Sequence, residues 1–485
     1  MGISNAMNNA ASGLRANSRL IDTISNNVAN ELTPGYARRV TELSSATING
    51  YGSGVVALAT TRVEDALLTS ERRVGDASAA AATVKSNAYS GILATIGEPG
   101  KTGAVSTLVT DLETALMSAA AAPQSQASLQ NVASAAEALA DGLNKVAAAN
   151  RTARAEADAE IARQVTGLNA NLNRVDELNR KIAAMNVQGV DTLSLQDQRA
   201  QVIDQITSVV PVRTVARENG AIALYTQTGG LLLDGQVYEM SFEATGDVIT
   251  PDMTIGNGLS GLRQNQGGLG TLANVSTTGA MSPIAGGSLA ALFEVRDSIV
   301  PGFDAEADRL AAELIDRFDG VQAGGANDGL LVDTDPTANV LGIAGRIRLS
   351  AAVDPGQGGS LAVLRSGIAT AESTETGYGD HLQRMAEALS AARTPVGWTT
   401  QVAAADAAIM ASNIASYYAT QANGTESDRA YMVARQASLT EQEMNRTGVD
   451  SDTELQTLMV VEQAYAANAR VMTVIDNLMQ TLLEI

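Results

Sequence analysis

Leu458, Val461, Tyr465, Asn468, Met472, Ile475, Met479 and Leu482 alternate at spacings of three and four, and seven of these eight are apolar. That alternation puts them on one face of a helix and predicts a continuous stripe from Thr453 to Ile485. Gly448 breaks the chain before the run, Asp450 and Ser451 supply N-caps, and Asp450, Asp452 and Glu454 suit the positive end of the helix dipole. At the other end Met7, Leu14, Ile21 and Val28 recur every seven residues, with Ile24 flanking, and predict an amphipathic helix over residues 3–30. Much of its remaining surface is Asn and Ser (Asn5, Asn8, Asn9, Asn17, Ser18), so it needs a partner to be stable. Thr33-Pro34-Gly35 stops it, because Pro34 disfavours a helical preceding residue and Gly35 permits a turn. Two apolar stripes without local cover predict a pair of terminal helices that assemble as an α-helical coiled coil. Residues 1–45 hold four Arg against three acidic residues and residues 447–485 one Arg against six, which permits that pairing as a salt-screened secondary effect.

The body between the ends is mainly helical. Residues 64–210 are Ala-rich with breaks near Gly97-Glu98-Pro99-Gly100 and at Ala122-Pro123, and Ser125 to Met185 contains no proline. Val165, Leu168, Leu172, Val175, Leu178, Ile182 and Met185 form an apolar repeat there, which suits an elongated helical-bundle body. Short β-prone runs follow at Val212–Val215, Ala221–Tyr225 and Leu231–Leu233, punctuated by Asn219-Gly220 and Gly229-Gly230. A β-containing insertion is therefore expected around residues 211–285. Helix returns at Ser288–Ile299 and Phe303–Gln322, with Phe303, Leu310, Leu314, Phe318 and Val321 on one side. A last helical block runs from Gln401 to Ile485, with interruptions expected near Asn423-Gly424 and Thr447-Gly448. The fold class is mainly α with smaller β parts. The expected domains are residues 1–45 plus 447–485 as the terminal assembly domain, and 46–330 plus 401–446 as the body. Residues 331–400 are expected to form a small mixed outer region.

Composition excludes several kinds of chemistry. Apolar residues are 45% but aromatics only 3%, so the core must be built from Ala, Leu, Val and Ile in close helix contact. A net charge of −21 argues against nucleic acid and anionic membranes as partners. Without cysteine there is no disulfide, thiolate or Cys-ligated metal, and with one histidine no His-cluster metal site. No apolar run reaches the roughly 18 residues of a membrane span. The first twenty residues lack the basic and apolar regions of a Sec-type signal, so export is expected by another route.

Apparent motifs in the body have plainer readings. Gly256-Asn257-Gly258-Leu259-Ser260-Gly261 matches a phosphate-cradling pattern, but Leu262–Gly268 cannot hold the helix that would have to follow, and a flexible loop is expected. His381, after Gly377-Tyr378-Gly379-Asp380, reads as a loop or helix-start histidine, since no nucleophile elbow accompanies it. Asp328, Asp333 and Asp335 lack the order of a calcium loop and read as turn residues. Trp398 reads as a core or surface-cap residue. No catalytic, cofactor-binding or metal residues are expected.

Asn26-Asn27-Val28-Ala29-Asn30, followed by Thr33, Gly35 and Tyr36, resembles the signature shared by axial proteins of the bacterial flagellum: rod, hook and hook-associated proteins. The C-terminal run Gln463–Val471 and the closing Asn477–Leu483 resemble the other end of that family. Gly286–Asp297 and Leu195-Gln196-Asp197-Gln198-Arg199 are similar to segments of the first hook-associated protein family. Residues 330–400 are shorter than that family's outer β domain, which implies that this domain is reduced or missing.

The resemblance implies a non-enzymatic structural subunit that self-assembles at the junction of hook and filament. Its interface would combine Met7, Leu14, Ile21, Ile24 and Val28 with Leu458, Val461, Tyr465, Met472, Ile475, Met479 and Leu482. Implied partners are further copies of the chain, hook protein, the second junction protein on the filament side, and an export chaperone at the C-terminal helix. The implied location is the extracellular flagellum, reached through type III export without a cleaved signal. Alternatives are another axial subunit, a hook or distal-rod protein, or an axial scaffold carrying a cell-wall hydrolase. The last would need a carboxylate pair or nucleophile in residues 324–400, and none stands out.

Overall fold

A computed structural model describes residues 3–48, 51–246, 248–266, 272–321, 327–337, 341–368, 378–395, 397–401 and 403–483. The elements in chain order are α1 (Ile3–Ala29), β1 (Arg39–Ile48), β2 (Tyr51–Arg62), α2 (Ala66–Ile96), α3 (Val105–Ala121), α4 (Gln126–Val187) and α5 (Leu193–Val209). There follow β3 (Val212–Ala216), β4 (Ile222–Thr226), β5 (Leu231–Leu233), β6 (Met240–Ser241), β7 (Thr254–Ile255), β8 (Gly258–Leu259), β9 (Arg263–Asn265) and β10 (Leu272–Asn274). Then come α6 (Ser288–Glu294), a π-helical turn at Val295–Ile299, α7 (Val300–Asp319), β11 (Leu331–Asp333) and β12 (Ile347–Leu349). The last are α8 (Val363–Ser366), α9 (Asp380–Ser390), α10 (Ala407–Thr447) and α11 (Ser451–Leu483).

The chain packs as two compact units. The first comprises Met1–Ala77, Ala170–Val237 and Val433–Ile485. In it α1 and α11 lie side by side and antiparallel: Arg38, beyond the end of α1, donates its N–H to the carbonyl of Thr447, the last residue of α10 and four before α11, while Gly13 lies against Asn468 further along. Asp450 caps α11 by accepting from the N–H groups of Asp452 and Thr453 at 3.0 and 3.3 Å.

The strands β1 and β2 pair antiparallel from Arg39↔Arg62 to Ile48↔Tyr51, with register shifts at Thr41/Leu43 and Ser45/Thr47. This hairpin lies along α1. Val55 N–H donates to Ser12 Oγ at 3.1 Å, and the hydroxyls of Thr23, Thr41 and Thr60 form a chain with links of 2.8 and 2.7 Å. Sequence reasoning placed residues 46–62 with the helical body. The Asn49-Gly50 pair between Thr- and Val-rich runs is the hairpin signal it left unused.

The rest of the first unit is the start of α2, the end of α4, α5, the end of α10 and the antiparallel sheet β3-β4-β5. The sheet falls within a residue of its predicted runs and buries Val212, Leu224, Leu232 and Leu233, while Leu172, Val175, Leu178 and Ile182 of α4 are buried as their spacing predicts. Arg72 of α2 joins three carboxylates, Asp76 at 2.6 Å, Asp204 of α5 at 2.9 Å and Glu443 of α10. That many carboxylates outweigh the effect of burial and hold the guanidinium more basic than usual.

The second unit comprises Ser78–Asn169 and Tyr238–Met432. Its core is helical: Val109, Leu112 and Leu116 of α3, Leu139, Leu143 and Ile161 of α4, Phe303, Leu310, Leu314 and Phe318 of α7, and Leu382, Met385 and Leu389 of α9 are buried. Phe303 meets Tyr418 of α10 edge-on, ring centres 4.8 Å apart. Small sheets decorate it, β10-β9-β6, β7-β8 and β11-β12. The described parts of residues 331–400 pack onto α7 and α3 inside this unit.

One predicted interruption is absent. The helix α10 runs unbroken through Asn423-Gly424, where Gly424 is exposed and a Cβ would meet nothing within 4 Å. A glycine costs a helix about 1 kcal/mol, too little to break one held at both ends by packing.

Candidate assembly site at the chain termini

The α1–α11 contact is built from small residues. On α1 the buried positions are Ala10, Gly13, Ala16, Asn17, Ile24 and Asn27; on α11 they are Glu454, Val461 and Ile475. Of the residues expected at the interface, Ile24, Val461 and Ile475 are buried, while Leu14, Ile21, Val28, Leu458 and Met472 are half-buried. Met7, Tyr465 and Met479 are exposed, and the side chain of Leu482 lies outside the described residues. The most covered heptad row of α1 is thus Ala10-Asn17-Ile24, three positions on from Met7-Leu14-Ile21. The hairpin β1–β2 accounts for this: it occupies part of the helix surface, so α1 is covered from two sides, and small residues face α11 at close range.

A second apolar row on α11 escaped the sequence reading. Val460, Val471, Val474 and Leu478 are 65, 45, 56 and 50% exposed. Their spacings of eleven, three and four put them on one helix face, about a quarter-turn from the buried row.

The Asn-Asn-Val-Ala-Asn segment closes the end of α1 around one buried side chain. Asn27 donates Nδ2–H to Arg39 O at 2.9 Å, and its Oδ1 accepts from Arg39 N–H at 3.0 Å and from the Tyr36 hydroxyl at 2.9 Å. The neighbouring amides tie the helix end: Asn26 donates to Asp22 O, Asn30 to Asn26 O, and Thr33 Oγ1 to Asn30 Oδ1. Gly35 sits at φ +75°, and a Cβ there would stand 2.5 Å from the Gln201 side chain, so both backbone conformation and space demand glycine. The Val28 side chain is half-buried, and Ala29 is exposed.

The Leu195–Arg199 segment completes this hub from α5. Arg39 lies over the Tyr36 ring at 4.9 Å and reaches Ser194 and Asp197 at 3.1 and 3.3 Å, and Arg62 pairs with Asp197 at 2.8 Å. Burial pushes the Asp197 carboxyl above its usual range, and Arg62 and Arg39 pull it back. Arg199 donates to Asn179 Oδ1 and Gly220 O at 2.8 and 2.7 Å, and burial lowers its pKa to about 10. Two motifs separated by 160 residues of chain therefore meet in one polar cluster that fixes the turn between α1 and β1.

The Gly286–Asp297 segment has its own anchor in the second unit. Arg296 is fully buried, pairs with Asp158 at 2.6 Å and Asp297 at 2.8 Å, donates to Ser260 O at 3.1 Å and contacts the faces of Phe293 and Phe242. These are packing roles. Gly256 and Gly258 form a tight turn between β7 and β8 with no helix after it. His381 is buried in the first turn of α9, where desolvation lowers its pKa to about 4. Asp333 pairs with Arg346 at 2.9 Å. Trp398 is half-buried. Among the described residues no group of His, Asp and Glu is placed to hold a metal, and no helix is long and apolar enough to cross a membrane.

The chain ends match two models of flagellar proteins: "Flagella basal body rod protein" over residues 7–36 and "Flagellar basal body rod FlgEFG protein C-terminal" over residues 441–485. By its ends, then, the chain is of the axial class of flagellar proteins. Between them, residues 92–331 match the model "Flagellar hook-associated protein FlgK helical domain". Flagellar hook-associated protein 1 of Bacillus subtilis is 23% identical over 98% of this chain and 96% of its own length. The protein of the same name from Salmonella typhimurium is 25% identical over 48% of this chain and 43% of its own. The chain belongs to the flagellar hook-associated protein 1 family, structural proteins of the bacterial flagellum. A solved structure, the flagellar hook junction protein FlgK from Burkholderia pseudomallei, is similar over 54% of this chain and 46% of that one, with TM-score 0.46 and 17% identity.

Proposed function

We propose that this chain is a non-enzymatic subunit that assembles with copies of itself where hook meets filament and connects the two. The observation that carries this reading is the outer face of α11. Once α1 and the hairpin are in place, Val460, Val471, Val474 and Leu478 still face solvent as one apolar row. Burying such a side chain is worth about 1.5–3 kcal/mol, so the row stabilises whatever subunit packs on it. The polar clusters at Asn27 and Arg296 are spent on internal hydrogen bonds and ion pairs, which fits a scaffold.

Hook protein on one side and the second junction protein on the filament side are the neighbours this role requires. An export chaperone holding α11 before assembly would cover the same apolar row, and passage through the flagellar type III apparatus would deliver the chain outside the cell. Deleting residues 453–485 tests the role of α11. Filaments should no longer be joined to hooks; joined filaments would show that the assembly role is misassigned.

A further inference from the structure

The apolar stripe of α11 maps onto itself when shifted by seven residues. Leu458, Tyr465, Met472 and Met479 form one row, and Val461, Asn468, Ile475 and Leu482 the other. The first helix repeats with the same period, Ala10-Asn17-Ile24 in the buried row and Met7-Leu14-Ile21-Val28 beside it. A slide of one heptad would bury nearly the same apolar surface, so hydrophobic burial alone does not select one register.

At the end of the pair the Arg38–Thr447 hydrogen bond opposes such a slide, and within the seam one contact breaks the degeneracy. A Cβ at Gly13 would stand 2.6 Å from Asn468 Nδ2 and 3.0 Å from its Cγ, so the amide occupies the notch left by the missing side chain. Asn468 is the one polar member of the stripe from Leu458 to Leu482, and Glu454 continues its row toward the start of the helix. A slide one way would set Leu20 against it, and a slide the other way Ala6; either fills the notch. One turn beyond Gly13, Asn17 is 8% exposed and its Nδ2 has no hydrogen-bond partner. Polar groups buried in a helix seam lower stability but mark register.

We propose that Gly13 and Asn468 form a register key that admits one alignment of α1 on α11 and excludes its heptad-shifted alternatives. It rests on the α1–α11 pairing and not on the junction role. The chain has no cysteine, so nitroxide labels at Ser25→Cys and Thr473→Cys, both exposed and staggered along the pair, attach nowhere else. Electron–electron double resonance on the full chain should give one narrow distance. Asn468→Ala empties the notch and should add a second population displaced by about 10 Å, seven residues at ~1.5 Å each. Asn468→Leu refills the notch with a side chain of the amide's branched shape and should keep the single distance. A single unchanged distance in Asn468→Ala overturns the proposal, as would an equal second population in Asn468→Leu or a parent chain already showing several. Motility is not part of the readout, so the register key and the junction role fail separately.

Discussion

Asn27→Ala is the sharpest perturbation of the turn that joins α1 to the hairpin. It removes one donated and two accepted hydrogen bonds and leaves Arg39 N–H, Arg39 C=O and the Tyr36 hydroxyl without their partner. The Tyr36 hydroxyl can turn to water, since that residue is half-exposed. The two backbone groups cannot easily do so, and an orphaned group costs about 1–3 kcal/mol. Taking the lower part of that range, the local structure loses about 3 kcal/mol, which is on the order of a hundredfold in its opening equilibrium. Native-state hydrogen exchange reads this directly, because Arg39 N–H and Val63 N–H, which donates to Arg38 O, report the hairpin entry. Their protection should fall by about a hundredfold in Asn27→Ala. Asn27→Asp keeps both acceptor functions and should lose much less. Protection within threefold of the parent in Asn27→Ala would refute the assignment of Asn27 as the hub.

Three further outcomes follow from packing and charge. Arg296→Met leaves Asp158 buried without its cation and should destabilise the second unit by about 3–5 kcal/mol, read as a lowered thermal midpoint; a change under about 1 kcal/mol would contradict it. Gly424→Ala, in an exposed helix interior with nothing within 4 Å of the new Cβ, should stabilise by about 1 kcal/mol in urea unfolding. The single imidazole of His381 should titrate near pH 4 by NMR, against an ordinary value of 6.5. Because its folded pKa is depressed, its contribution to stability is complete above about pH 6.5 and is lost as pH falls from there through 4. His381→Gln should flatten that part of the pH–stability curve.

What could be read in advance was what local sequence controls. The Asp450 cap, the strands β3 to β5 and the long proline-free α4 follow from turn dipeptides, capping chemistry and periodicity acting within a few residues. The hairpin β1–β2 carried an equally local signal in Asn49-Gly50, but it adjoins the Asn-rich helix, whose periodicity dominated the reading. The buried row of α1 could not be fixed by period alone. Apolar heptad spacing favours Met7-Leu14-Ile21 over Ala10-Asn17-Ile24, whose middle member is polar, and it takes the hairpin on one side and α11 on the other to bury the second row. The role of Asn27 was likewise invisible, because its partners, Arg39 and Tyr36, come to it through the turn. Gly424 looked like a break because propensity counts the glycine and not the packing on either side.

In the proposed assembly the exposed apolar row of α11 is the surface on which neighbouring subunits pack. Val474→Asp with Leu478→Asp places two charges in that row without touching the buried Val461 and Ile475. In cells producing only this variant, electron microscopy of hooks should show no attached filaments, with the folded, exported chain recovered from the medium. Filaments attached at the parent frequency, from a chain exported equally well, would contradict the account.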